Sequence, residues 1–399
     1  MRWLVLFLFA CSSTPVAMST PDATPDVVDP VDAGGDAGFV PGDHPPMPQV
    51  ASSGGPVIAK PSFVPVSFAN DSLQGDIDAF VGAMAKTTYF EDVIGEYGVA
   101  KPTIAKPIHI AETVPANILD ADIQGFIRSK VMDQTLPAPD ANTLYVLFYP
   151  PGTTIELDGR KSCATFHGYH GEVAVGQQSA AYAVIARCSG IPEAPVMGIQ
   201  YVSAVASHEI VEALTDPLVY TNPAFAMPDR DHIGFAFLGL AELADMCALD
   251  GDAFYTPSDF PYTMQRIWSN ALALQGHDPC VPNVKKTTYI MAVPELEDTI
   301  GSVYGKTKGV KIPVGQEKTI AVDLFSDGPI DSWDVRAIEP SSMNSTLDLA
   351  LDRTSGTNGD KLMLTIKTKG KNATYGASPF VIASRKDSQQ NLWVGLVGY

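Results

Sequence analysis

Three things are missing from this chain of 399 residues, and each absence removes a class of function. There is no H-E-x-x-H pair, no C-x-x-C pair, and no histidine beyond His277. Without C-x-x-C, a zinc site built from four thiolates is disfavoured. Without histidine, the last hundred or so residues offer no imidazole for catalysis. Basic residues are also scarce: 26 lysines and arginines stand against 45 acids, a net charge of −19. That field repels nucleic acid and anionic membrane surfaces, and it suits a cation. What is present is a hydrophobic content of 45%, enough for globular cores, in a chain long enough for two domains and tails.

The N-terminus, "MRWLVLFLFACSS", has an early arginine and an apolar run from Trp3 to Ala10 that is too short to span a bilayer. It reads as a secretory signal over residues 1–10. Leu8-Phe9-Ala10-Cys11 resembles a bacterial lipobox, which makes Cys11 the expected lipidation site and gives an exported lipoprotein held at the cell surface or on the periplasmic side. A plain signal peptide cut further along is the alternative. Residues 11–66 are rich in Pro, Asp, Ala, Gly and Ser without apolar periodicity, the composition of an extended acidic tether.

Removing Cys11 leaves Cys163, Cys188, Cys247 and Cys280, an even number in an oxidising compartment. Of three connectivities the sequential one is expected, Cys163 with Cys188 and Cys247 with Cys280. Residues 67–283 mix helical and strand patterns. Leu73, Ile77, Phe80, Val81 and Met84 recur at helical spacing, as do Ile118, Ile123, Phe126, Ile127 and Val131. "TLYVLFYPP" reads as a buried strand and "AAYAVIARCSG" as another. From 287 to 399 the texture changes to short runs with period-two alternation, which predicts an antiparallel β-sandwich serving as a structural or adhesive module.

The chemistry concentrates in "SHEIVEALTDP". As a helix ending before Pro217, this stretch puts Val202, Ala206, Ile210, Ala213 and Leu214 on an apolar face and His208, Glu209, Glu212 and Asp216 on the opposite arc. His208 and Glu212, four apart, can reach one cation, with Glu209 beside them to take a proton from water that the ion activates. An ordinary solvated acidic face is the plain alternative. A third ligand is expected from "AELADMC", Glu242 first and Asp245 second. His167 and His170 in "CATFHGYHG" are candidates for an extra ligand or a substrate contact. His44, His109, His232 and His277 have no supporting pattern.

In order, the blocks "FVGAMAKTTYFEDVIGEYGV", "LYVLFYPPGTTI", "CATFHGYHG", "VASHEIVEALTDP", "AELADMC" and "MQRIWSNAL" resemble the EXORDIUM-like, phosphate-induced protein family of secreted plant proteins and its bacterial and fungal relatives. The resemblance implies a common site at His208, Glu209, Glu212, Glu242, Asp245 and Cys247, and by analogy a zincin-like arrangement. The expected fold is therefore α+β, a mixed α/β zincin-like domain followed by an all-β sandwich. The family supplies no established activity, and the lipobox, the tether and the added β-rich domain set this chain apart from the plant pattern.

The leading expectation is a surface-anchored, metal-dependent hydrolase acting on peptide or cell-surface polymer, with no nucleic-acid partner. One histidine with two carboxylates is a hard, anionic set, so zinc ranks only narrowly ahead of manganese or calcium. A non-catalytic surface-binding or adhesion protein, with a structural metal closed by a fourth ligand such as His170 or with none, is the alternative. A glycosidase pair ranks last, for want of an aromatic sugar platform.

Overall fold

The parallel strands explain why the first half of the chain carries unbroken apolar runs. The computed structural model describes residues 38–399, apart from 70, 192–195, 341–344 and 373; the signal, Cys11 and the acidic stretch up to residue 37 lie outside them. Strand β1 (Ser62–Phe68), β2 (Thr143–Phe148), β3 (Gly168–Val175) and β4 (Gln178–Ile185) form the body of a mixed sheet ordered β1-β2-β4-β3, extended beyond β1 by two short strands at Thr103–Ile104 and Ile108–Ile110. β2 lies parallel to both β1 and β4, while β3 is antiparallel to β4 and forms the sheet edge.

Alternate residues of β2 serve two different cores. Leu144, Val146 and Phe148 pack on the side of helices α1 (Gln74–Met84) and α3 (Ile199–Thr215), whereas Tyr145 and Leu147 join Ile123 and Ile127 of α2 (Asp120–Met132). A strand covered on both faces has no polar face to show, so its sequence is apolar throughout.

α3 departs from its expected amphipathic character. Every residue from Tyr201 to Thr215 is buried, so the polar arc of His208, Glu209 and Glu212 faces protein and the solvated-face alternative is excluded. The tether expected over residues 11–66 also ends earlier than its composition suggests. Met47, Val50, Ile58 and Phe63 are all buried in the main core, and Val50–Ala51 pairs with Met227–Pro228. Proline and glycine there serve packed loop rather than open chain.

From Ile290 onward the regular elements among the described residues are all strands, the longer ones being β5 (Ile290–Pro294), β6 (Asp298–Ser302), β7 (Gly305–Lys311), β8 (Glu317–Ser326), β9 (Trp333–Ile338), β10 (Leu347–Leu351), β11 (Lys361–Thr368), β12 (Ser378–Lys386) and β13 (Gln389–Gly398). One sheet runs β5-β8-β11-β10 and the other β6-β7-β13-β12-β9. The period-two pattern is plain in β11, where Leu362, Leu364 and Ile366 are buried between outward-facing neighbours. The pairing is antiparallel except between β7 and β13, which run parallel at Val310 and Val397, a departure from the purely antiparallel expectation. The whole is a β-rich mixed fold, and both parts contribute to one continuous core.

Candidate metal centre

Helix α3 lies against the edge strand β3, and the match of the two periods builds the site. Residues 168, 170 and 172 share one face of β3, while Tyr201, Val205, Glu209 and Glu212 follow one another along the facing stripe of the helix. Gly168 makes this approach possible. A Cβ there would lie 2.6 Å from Glu209 Cγ, 2.7 Å from Glu209 Oε1 and 2.8 Å from Val205 Cγ1. Further along, Glu172 accepts hydrogen bonds from Tyr220 N and Thr221 Oγ1 at 3.2 and 2.8 Å, tying the strand to the chain beyond the helix.

Six ionisable side chains meet in the space between strand, helix and the loop that follows Gly239: His170, His208, Glu209, Glu212, Glu242 and Asp245. None is more than 4% exposed. His208 Nε2 lies 3.2 Å from Glu212 Oε1 and 3.5 Å from Asp245 Oδ1. His170 lies 3.6 Å from Glu212 Oε2 through Nδ1, 3.5 Å from Glu242 Oε2 through Nε2, and 4.0 Å from Glu209 Oε2. Neither nitrogen of His170 reaches a hydrogen-bond partner. Leaving buried polar atoms unpaired costs about 1–3 kcal/mol each, so this ring is placed for something other than internal bonding.

The distances suit a cation. Two ligands each about 2.1 Å from a tetrahedral ion are about 3.4 Å apart, close to the separations just given. Ligand atoms of His208, Glu212 and Asp245 all lie within 4.8 Å of one another, and so do those of His170, Glu212 and Glu242. A third cluster, Cys247, Asp250 and Cys280, has its thiols committed to a disulfide.

Gln265 orients the first histidine. Its Nε2 donates to Ala244 O at 2.6 Å, which turns Oε1 toward His208 Nδ1 at 3.0 Å. Nδ1 therefore carries a proton, and Nε2 faces the carboxylates. Burial pulls the His208 pKa down, but Glu212, with Glu209 and Asp245, pushes it up to about 10. Burial likewise raises Glu212, yet His208, through its charge and a hydrogen bond, and the nearby His170 bring it below the usual carboxylate range. Burial holds Glu209 and Asp245 well above that range; His208 opposes it in both, and Glu212 adds to it.

All the residues singled out in the sequence, except Cys11, fall within the described chain, with one rearrangement among the ligands. Glu242 was the first choice to complete the His208 group, but Asp245 stands beside His208 and Glu242 faces His170. His167 sits at the margin, hydrogen-bonded through Nδ1 to Tyr201 Oη at 3.0 Å, with its pKa lowered by burial and by the charge on His208. Sequence reasoning missed Gln265, Tyr201 and Gly168.

Two disulfides join Cys163 to Cys188 and Cys247 to Cys280, the sequential pairing, as expected of an oxidising compartment. The second anchors the loop that carries Glu242 and Asp245. Arg266 reinforces it, with its guanidinium bonded to Asp252 and Asp278 at 2.5 Å each and to Cys280 O. No helix among the described residues is long and apolar enough to cross a membrane.

No family model matches the chain, and no curated protein matches its sequence. Among solved structures there are matches to titin domains. The "Chimeric titin Z1Z2 functionalized with a KLER exogenous peptide from decorin" is 12% identical over 27% of this chain and 94% of that one, with a TM-score of 0.16. The "Structure of Titin M4 trigonal form" is 12% identical over 28% and 97%, with a TM-score of 0.17. Likenesses at this level carry no argument about fold or function.

Proposed function

We propose that this protein is a surface-anchored, metal-dependent hydrolase with Glu209 as its general base and a peptide bond as the first substrate class to test. The observation that supports it is His170: a fully buried imidazole with neither nitrogen hydrogen-bonded, turned into a ring of carboxylates that would repel one another without a cation. His208, Glu212 and Asp245 would hold an ion, with zinc ranked narrowly ahead of manganese or calcium. Bound there, it would polarise a carbonyl and make water more acidic.

Glu209 belongs to neither ligand group, yet it follows His208 directly and lies 4.0 Å from His170. Burial raises its proton affinity above that of an ordinary carboxylate, the direction in which a general base is tuned. In the reaction, water oxygen bonds to the carbonyl carbon while one of its protons passes to Glu209. As the C–N bond breaks, Glu209 returns that proton to the amine. His167 and Tyr201, paired beside the ring, would contact the substrate. In this reading the zincin-like arrangement and the EXORDIUM-like resemblance describe the same site, and Cys11 carries the lipid that holds the chain to its membrane. Changing Cys11 to Ser would release the protein from the membrane fraction.

One observation favours a second reading. The depth of all six side chains suits a closed structural site with His170 as the completing ligand, and hence a non-catalytic binding protein. The full-length chain separates the two. For a hydrolase, elemental analysis finds bound metal, the parent cleaves members of a mixed peptide library, and Glu209→Gln keeps the metal but loses cleavage. Metal retained by a parent that cleaves nothing hands the case to the binding protein.

A further inference from the structure

We propose that the centre holds two divalent cations, with the Glu212 carboxylate as the bridge: His208 and Asp245 complete one site, His170 and Glu242 the other. The inference rests on the metal-centre reading above and extends it, because that reading needs only the first ion.

The two oxygens of Glu212 point to different histidines. Oε1 faces His208 Nε2 at 3.2 Å and Oε2 faces His170 Nδ1 at 3.6 Å. The two ligand groups share Glu212 and nothing else. An ion on each oxygen of one carboxylate falls naturally into the spacing of about 3.5–4 Å found in two-metal sites. Glu212 is held for this task by the Asp245 backbone, whose N–H donates to Oε1 at 3.2 Å.

His170 supplies the independent observation. With its side chain fully buried and neither nitrogen hydrogen-bonded, it lies outside the group of His208, Glu212 and Asp245 and sits 3.5 Å from Glu242.

The test uses the full-length chain, stripped with a chelator and refilled with Mn²⁺ or Zn²⁺. Elemental analysis of the parent is expected to give two ions per chain, and the Mn²⁺ form an electron paramagnetic resonance spectrum of an exchange-coupled pair. His170→Ala is expected to bind one ion and give the spectrum of isolated Mn²⁺. Glu242→Gln, close to isosteric, gives the same result if the alanine variant fails to fold by circular dichroism. One ion in the parent overturns the second site and leaves the proposed function standing, whereas none overturns both. Two coupled ions in His170→Ala or in Glu242→Gln overturn the assignment of these ligands.

Discussion

Gly168→Ala adds one carbon and two hydrogens at the place where β3 and α3 come closest. The new Cβ would meet Glu209 Cγ at 2.6 Å and Val205 Cγ1 at 2.8 Å, each well inside the carbon–carbon optimum of about 3.5–4.0 Å. The backbone of Gly168 is not left-handed, so the cost is contact and not strain. The strand belongs to a hydrogen-bonded sheet and the helix is packed on all sides, so the most movable part is the Glu209 side chain. Overpacking of this kind costs about 1–3 kcal/mol, and displacing a base by about 1 Å costs about 100-fold in rate. The expected result is a lowered unfolding midpoint in urea and a large loss of hydrolysis, with metal content unchanged. A double-mutant cycle tests the cause: in a Glu209→Ala background two of the three clashes disappear, and the stability cost of Gly168→Ala should shrink by half or more. An equal cost in both backgrounds would refute the idea that Glu209 presses on the strand.

Gln265→Leu removes the acceptor that sets the His208 tautomer and leaves Ala244 O without its donor; metal affinity by competition with a chromophoric chelator should fall about 10–100-fold. Asp216 has one oxygen on Ala224 N and one buried without a partner, and burial raises its pKa from 3.8 to about 6. A carboxyl that holds its proton more tightly when folded stabilises the protein below about pH 4 and loses that contribution as pH rises through about 6. Asp216→Asn should therefore flatten the pH dependence of metal-free stability in this window, by no more than about 3 kcal/mol, and an unchanged profile would contradict this. Replacing Cys247 and Cys280 together by Ala opens a loop of sequence separation 33; thermal unfolding should show a loss of about 2–5 kcal/mol, and metal affinity should fall with it because Asp245 lies two residues from the lost anchor.

The parts of the fold legible in the sequence were those where one residue's environment repeats regularly. "TLYVLF" declared a strand buried on both faces, and "KLMLTIKT" one with a wet face. His208, Glu209 and Glu212 stood out because polar groups interrupted an apolar helix. The rest depended on contacts between distant residues. Which of Glu242 and Asp245 reaches His208 turns on how one short loop folds back, and spacing of three residues cannot decide it. The parallel pairing of β7 with β13 joins segments far apart in the chain, and no local pattern records it. Residues 44–66 look like open tether because prolines recur through them without apolar periodicity, while Met47, Val50 and Ile58 do the packing.

The loop bearing Glu242 and Asp245 continues to Gly251, where it meets the C-terminal sheet. Gly251 N donates to Gln390 O at 3.0 Å, and a Cβ at Gly251 would lie 2.4 Å from Ser388 O. A Cβ at Gly234, in the turn just before the loop, would lie 2.9 Å from Val394 O. β13 is therefore a back wall for the very segment that presents half of the carboxylates. A chain shortened at the boundary between its two halves would keep every ligand and still lose the surface that holds two of them in place. The C-terminal sheets cannot be exchanged like a detachable adhesive module; swapping or truncation of that part acts on the candidate site as well.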